Sequence, residues 1–564
     1  MKCTLTNMDM NIMKLSKIKR VAIIGGGFGG LAVTWQFSRH PSIETIDVYD
    51  RYEPGFADAS SNSAGIMHSL TPKGKIIWNG IDGMNSSIQL MNAVQPFSHD
   101  GLPIYNNKMQ LQRLIFNSDD LSNWNRASID YPDEVELLNS DVNTGKNGNI
   151  VDNDGSSSIY GHSSAVKIGG TKDESVIGVA VIKSAVIVNP FRYLNALWKS
   201  IQYNNPSAQW HIQTVTNLSE LSSSYDCVIV ACGPGILNLC PQYSTQLRLV
   251  RGQNLFYGPF DSSGNNNNNN NNSSSRSTTR SCDTNTATTG TYNSLNTNCS
   301  NINDNISSNS SSIDMNIGYL SGEYIIPFHH RTIDNNSSNH LLCGATHEHI
   351  TNDQYNAYLQ NNNNIINNSN SHNNTVNHDD INIADSNGRD DSCDNISYLG
   401  TITSSRQKPN IEVAEQLLKK KLIAMMPELQ HMKPVGGNVG TRVVSQRGSI
   451  GRLPIIGKVH VHYGGNDGNN NRSNANDVNH SHGDNSSSHN GGGNIGIDDR
   501  NVVDIEHRHR SNADVSGRNS NVWMMTGFGS RGLIHHAILS DYLYRSIIYD
   551  DENIIPIYLR PKER

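Results

Sequence analysis

Long apolar runs are missing from this sequence. No stretch approaches the ~20 continuous apolar residues of a membrane span, and only 35% of the 564 residues are hydrophobic. The first absence excludes a membrane helix; the second means that part of the chain lies outside any core. None of the eight cysteines forms a CxxC pair. Several sit in apolar strand-like runs such as Cys227 to Cys232, so they read as reduced thiols rather than a disulfide or zinc framework. Positive charge is not in excess either. A formal net charge of -7 gives no general attraction to phosphate backbones, so nucleic acid would need a local basic patch. The first 17 residues lack the apolar h-region of a secretory signal. Lys14, Lys17, Lys19 and Arg20 leave organelle targeting open beside the expected cytoplasmic location. Histidines cluster at His329–His330, His347 and His349, His480 and His482, and His507 and His509, but two ligands do not make a zinc site and no metal is expected.

What is present is unevenly distributed. Asn-rich tracts at 261–312, 360–395 and 464–518 are too poor in apolar residues to repay the entropy of ordering, and they are expected to be disordered insertions. A milder polar stretch, about 138 to 173, reads as another surface insertion. Between them the chain reads as ordinary globular sequence. Val21 to Ile24 is a short buried strand, Leu31 to Arg39 a helix and Thr45 to Tyr49 a second strand, which makes one βαβ unit. Pro190 to Ser200 has helical spacing, and Tyr225 to Ala231 is a further buried strand. An amphipathic helix is predicted over 412–426, with Leu417, Leu418, Leu422 and Met425 or Met426 on its apolar side. A last helix runs from Gly532 to about Tyr549.

The first glycine turn, Gly25-Gly26-Gly27-Phe28-Gly29-Gly30, fits GxGxxG directly after a strand and before a helix. Gly25 permits the tight turn, Gly27 lets backbone amides approach a pyrophosphate, and Gly30 lets the helix pack on the sheet. Asp50, at the end of the second strand, supplies the acid that binds an adenosine ribose. Spacing alone leaves FAD and NAD open.

Further motifs carry a resemblance. Ala59-Ser60-Ser61-Asn62-Ser63-Ala64-Gly65, Val250-Arg251-Gly252-Gln253, Arg452 to Gly457 (RLPIIG) and Thr526 to Leu533 (TGFGSRGL) accompany the first turn. With them the chain resembles the D-amino-acid oxidase superfamily of FAD enzymes. The combination is most similar to the oxidoreductase domain of MnmC, a bifunctional tRNA wobble-uridine modification enzyme, and Leu70 to Lys75 (LTPKGK) is similar to stand-alone relatives of that domain. The resemblance implies an α/β fold in which a Rossmann-type FAD-binding domain is built from discontinuous segments: 18–95, 186–250, and 436–463 with 519–564. An α+β substrate domain would take 96–185, 251–260 and 313–435. It also implies that Ser60, Ser61 and Asn62 line the flavin, that Val215 lies near the adenine and Gly233 near the dinucleotide, and that Gly529, Ser530, Arg531, Gly532 and Leu533 face the flavin pyrimidine with their amides. Relatives that attach flavin covalently use a histidine or cysteine which this chain lacks at position 62 and near RLPIIG, so FAD is expected to be non-covalent.

The expected reaction is oxidation of an amine C–N bond, with hydride passing to flavin and the imine hydrolysing. Arg442 and Arg452 are the candidates for clamping a substrate carboxylate. By resemblance the leading substrate is the carboxymethylaminomethyl group of a tRNA wobble uridine. A small amino acid or N-methyl amino acid is the alternative, and a flavin-binding interaction protein without turnover is a rival of another class. Two departures bear on substrate recognition: Arg447 to Arg452 intervenes where MnmC has an Arg-Asp pair before its Leu-Pro, and the methyltransferase partner domain is not in the sequence.

Overall fold

The computed structural model describes residues 17–98, 101–138, 175–260, 313–331, 337–360, 408–459 and 521–562. The tracts 261–312, 360–395 and 464–518, and the polar stretch 138–173, lie outside the described residues except for Leu138 and Gln360.

Strand β1 (Arg20–Ile24) is buried from Val21 onward, and a strand buried on both faces needs cover on each side. It lies in a six-stranded sheet with β2 (Thr45–Asp50), β9 (Gln209–Ile212), β10 (Cys227–Val230), β17 (Ile455–Lys458) and β18 (Val522–Thr526), in the order β17-β18-β10-β1-β2-β9. All pairings are parallel except β17 with β18. The period of two sorts the side chains. Val21, Ile23, Cys227, Ile229, Trp523 and Met525 face a helical layer, whereas Ala22, Ile24, Val228, Val230, Val522 and Met524 face a second cluster with Leu249, Tyr355 and Val443. The helical layer consists of α1 (Phe28–Ser38), α3 (Gly80–Val94), α5 (Pro190–Asn204) and α7 (Gly532–Ile548), around Leu31, Phe37, Leu194, Leu539 and Leu543. The short helix α2 (Asp58–Ser61) lies at the sheet's end.

A nine-stranded sheet forms the second body. Its main path is β15 (Glu348–Ile350), β11 (Leu247–Phe260), β14 (Ser337–Gly344), β13 (Glu323–Arg331), β12 (Ile317–Ser321), β5 (Gln110–Ile115), β7 (Gly178–Ile182) and β6 (Val135–Leu138). The ninth strand, β16 (Gly436–Ser445), pairs with β11 from Leu247 opposite Ser445 to Phe256 opposite Gly436. Segment 436–445 therefore belongs to this sheet, not to the nucleotide-binding segment expected over 436–463: ten residues of ladder bonding outweigh its closeness in sequence to β17. Helix α4 (Ser118–Asp130) covers one region of the sheet through Trp124, and α6 (Ile411–Met425) covers another through Leu418 and Leu422. A small sheet of β3 (Ile66–Met67), β8 (Val186–Val188) and β4 (Tyr105–Asn106), ordered β3-β8-β4, joins the two bodies.

The ends of the helices follow their caps. Asn117, Asn189 and Asn410 each accept a backbone N–H of the first turn of α4, α5 and α6. Helix α6 also corrects one expectation. Ala414, Leu418, Leu422 and Met425 are buried, but Leu417 is 61% exposed, because the buried stripe follows i, i+4, i+8 and i+11 from Ala414 and position 417 falls beside it. Leu418→Ala should cost about 2–5 kcal/mol in chemical denaturation, whereas Leu417→Ala should stay within about 0.5 kcal/mol of wild type.

Candidate active site

One cavity opens where the carboxyl ends of β1, β2, β10 and β18 meet the nine-stranded sheet, the edge at which open α/β sheets hold ligands. Gly25, Gly27, Phe28 and Gly29 line it after β1, Asp50 at the end of β2, Gly233 after β10, and Gly527 to Ile534 after β18.

Sterics set the glycine turn. Gly25 has φ +108°, and a Cβ there would lie 2.5 Å from the Ala231 carbonyl oxygen, so only glycine fits. Gly30 does not line the cavity and works through packing: a Cβ would lie 1.8 Å from the Gly25 oxygen. Gly27, the residue before α1, leaves room that a Cβ would contest with the Ser60 hydroxyl at 2.9 Å. The Asp50 carboxylate accepts the Gly26 N–H at 2.7 Å and the Tyr52 N–H at 2.9 Å. Burial raises its pKa above the usual carboxylate value, with those two bonds and Arg51 opposing.

The segment after β2 divides its roles. Ser60 lines the cavity and accepts the Phe28 N–H at 3.2 Å. Ser61 and Asn62 do not line it. Ser61 donates its hydroxyl to the Ala57 carbonyl, Asn62 donates to the Asp58 carbonyl at 2.7 Å, and the Asn62 carbonyl accepts the Asn254 amide at 3.0 Å. Both hold the loop that presents Ser60. Val215 is likewise not brought to the cavity: β9 ends at Ile212, and Val215 packs half-buried against the cluster of Ile24 and Val230.

Gly529, Ser530, Arg531, Gly532 and Leu533 all line the cavity. Gly527 and Gly529 turn at φ +76° and +57°, and the Gly529 N–H donates to the Val443 carbonyl at 2.8 Å. Among the described residues, α1 and α7 start without a side-chain cap, in contrast to α4, α5 and α6. Two positive helix ends thus face one cavity, with the Phe28 N–H of α1 already taken by Ser60, and together they make a site for anionic groups.

The two candidate arginines separate. Arg442, on β16, lines the cavity, and its Nη2 is buried with no hydrogen-bond partner among the described residues. Burial lowers its pKa and the Tyr324 phenol opposes this. A Cβ at Gly252 of the VRGQ motif would meet Nη2 in ordinary contact at 3.6 Å and would press more closely on the Thr346 carbonyl oxygen, at 3.2 Å. Arg452 is exposed in the turn around Gly448 to Gly451 and does not line the cavity, although its charge lowers the Arg531 pKa after burial. Sequence reasoning missed Arg113, Trp124, His68, Glu323, Tyr324 and Asn254, which line the cavity from distant segments. Tyr324 donates its hydroxyl to Asn254 at 2.6 Å, and the Asn254 amide donates to Asn438 at 2.7 Å. Among the described residues no group of three His, Cys, Asp or Glu is placed to hold a metal, and no helix is long and apolar enough to cross a membrane.

A mainly parallel sheet with this turn, this acid and two helix ends on one cavity defines a dinucleotide-binding protein. The family model described as FAD dependent oxidoreductase (DAO) matches residues 20–545, and the chain belongs to that family. Among solved structures it is similar to glycine oxidase from Geobacillus kaustophilus, with 12% identity, a TM-score of 0.50, and 97% of this chain and 99% of that chain covered. It is also similar to iminodiacetate oxidase from Chelativorans sp. BNC1, with 10% identity, a TM-score of 0.48, and 96% and 100% covered. At 12% identity the likeness to the first speaks for the fold alone. No curated protein matches the chain.

The residues present fit FAD. The space at Gly27 and the uncapped start of α1 suit its pyrophosphate, Asp50 its ribose, and the uncapped start of α7 an electron-rich edge of the flavin. Gly27→Val should abolish flavin binding, because the side chain would fill the pyrophosphate position and press on Ser60. Flavin absorbance of the purified protein checks this, and full occupancy in the variant would remove the cradle assignment.

Proposed function

We infer that the protein oxidises the C–N bond of a free amine bearing a carboxylate on the carbon beside nitrogen. The observation that carries this is Arg442: a guanidinium with one nitrogen buried and unpartnered among the described residues, in the same cavity as the glycine turn and the start of α7. A planar fork in that position can take a carboxylate through two parallel bonds and so fix the neighbouring carbon. FAD, held non-covalently, would supply the hydride acceptor; the imine left behind takes up water and gives a carbonyl compound with ammonia, or with a shorter amine where the nitrogen carries a second carbon. The surroundings support a compact substrate. His68 lines the cavity, its Nδ1 accepts the Leu70 N–H at 3.3 Å, and burial, Arg113 and Arg531 hold its pKa at about 4, so the ring is neutral at pH 7.

A second reading places the same chemistry on the carboxymethylaminomethyl group of a tRNA wobble uridine. The ASSNSAG, VRGQ and GFGSRGL motifs favour it, as do exposed Lys73 and Lys75 beside the lining residues Thr71 and Pro72. The two readings part on salt, since an RNA substrate loses affinity steeply with ionic strength and a small amine does not.

Arg442→Lys keeps the charge and loses the fork. Flavin content should stay at the wild-type level, while anaerobic flavin reduction by N-methylglycine should fall by about 10- to 150-fold at low substrate, or ~1.5–3 kcal/mol. Stopped-flow absorbance measures this. Superimposable traces for wild type and variant would dismiss Arg442, and a wild-type flavin that no amine bleaches would dismiss amine oxidation.

A further inference from the structure

A second cation, whose ion pair is a long one and whose Nε has no hydrogen-bond partner among the described residues, lines the same cavity at the other body's face. Strand β5 puts Leu111, Arg113 and Ile115 on one side. Leu111 and Ile115 join the apolar cluster around Trp124, so Arg113 carries its guanidinium among apolar neighbours and is only 9% exposed. Asp120 is 3.9 Å from it, beyond hydrogen-bond distance, and the Arg113 Nε is buried without a partner among the described residues. Glu323, which also lines the cavity, is taken by Lys421 at 2.5 Å. Trp124 is 1% exposed; the guanidinium carbon lies 5.8 Å from its ring centre, and its indole Nε1–H is likewise buried and unpartnered among the described residues.

Arg113 and Trp124 both line the cavity beside Leu70, Thr71 and Pro72, the start of the LTPKGK turn that the flavin does not account for. The turn is fixed against α4. Gly74 has φ +68°, a Cβ there would lie 2.7 Å from the Ala127 Cβ, and the Thr71 N–H donates to the Lys75 carbonyl at 2.7 Å. Buried donors are ordinarily satisfied, so two of them on residues that line one cavity, one of them cationic, leave room for an acceptor from a ligand.

We propose that Arg113 and the Trp124 indole N–H form a second anion subsite of this cavity, so that the substrate is a small amine with two acidic groups: one carboxylate on Arg442 and another on Arg113. The proposal rests on the amine reading above for its first carboxylate only. A phosphate would use the same donors, and the test separates the two.

The experiment uses the flavin-loaded full chain, as wild type, Arg113→Met, Arg113→Lys and Trp124→Phe. Binding is read without turnover, from the shift of flavin absorbance on titration with glutarate or butyrate. Wild type should bind glutarate about 10- to 150-fold more tightly than butyrate. Arg113→Met should close that gap, while Arg113→Lys and Trp124→Phe narrow it. In parallel, N-methylglutamate should reduce the flavin at lower concentration than N-methylnorvaline, again only with Arg113 in place. Equal binding of glutarate and butyrate by wild type overturns the proposal, as does an unchanged gap in Arg113→Met or, where that variant does not fold, in Arg113→Lys. Preference for N-methyl-O-phosphoserine over N-methylglutamate overturns the carboxylate assignment. A glutarate preference lost with Arg113, in a protein whose flavin no amine reduces, supports the subsite and rejects amine oxidation.

Discussion

Asp58 sits half-buried at the start of α2, on the cavity wall where the two sheets meet. It accepts the Thr441 N–H at 3.0 Å from β16 and the Tyr355 hydroxyl at 3.1 Å. Burial raises its pKa, and Arg51 is the leading charge that opposes the rise. Next to Thr441, a Cβ at Gly440 would stand 2.9 Å from the Ala59 Cα, so helix and strand meet backbone to backbone. Ser60 and Arg442 are therefore fixed relative to one another through this one carboxylate, two residues from the first and joined to the neighbour of the second. Removing the carboxylate would leave the Thr441 N–H and the Tyr355 hydroxyl without their acceptor, a loss of about 1–3 kcal/mol for each group so stranded.

A second polar link runs parallel to it. Asn254 on β11 reaches the Asn62 carbonyl, Asn438 on β16 and the Tyr324 hydroxyl on β13. Apolar packing alone would let the two bodies slide over each other by small steps, whereas a satisfied hydrogen-bond network accepts one register. The cradle built by the first body and the cations carried by the second are in this way held at one separation.

The nucleotide half was legible in the sequence because its signals are local. The glycine turn, Asp50 and the GFGSRGL turn each declare their geometry within a few residues, and Gly25, Gly27, Asp50 and Gly529 to Leu533 line the cavity. The substrate half was not, because its wall is made by residues whose meaning lies in distant partners. Arg113 reads as the polar position of an ordinary half-buried strand until α4 sets Trp124 beside it. Arg442 and Arg452 are equivalent on paper; only the ten-residue pairing of β16 with β11 aims the first inward, and the turn after it leaves the second in solvent. Val215 and Leu417 show the same limit: the strand stops three residues before the first, and the second falls one position beside the buried stripe of its helix.

The six-stranded sheet closes late. Strand β10 lies between β1 and β18, with Val228 opposite Val522, so the site's central strand waits for a neighbour almost 300 residues downstream. At typical synthesis rates that interval is on the order of 15 to 60 s. Throughout it the Val228 and Val230 edge has no β18 to pair with, and the helix that supplies the second positive end has not been made. A nascent chain of this protein carries the glycine turn and Asp50 long before it carries the start of α7, and in that interval an unpaired apolar edge of this kind is open to aggregation.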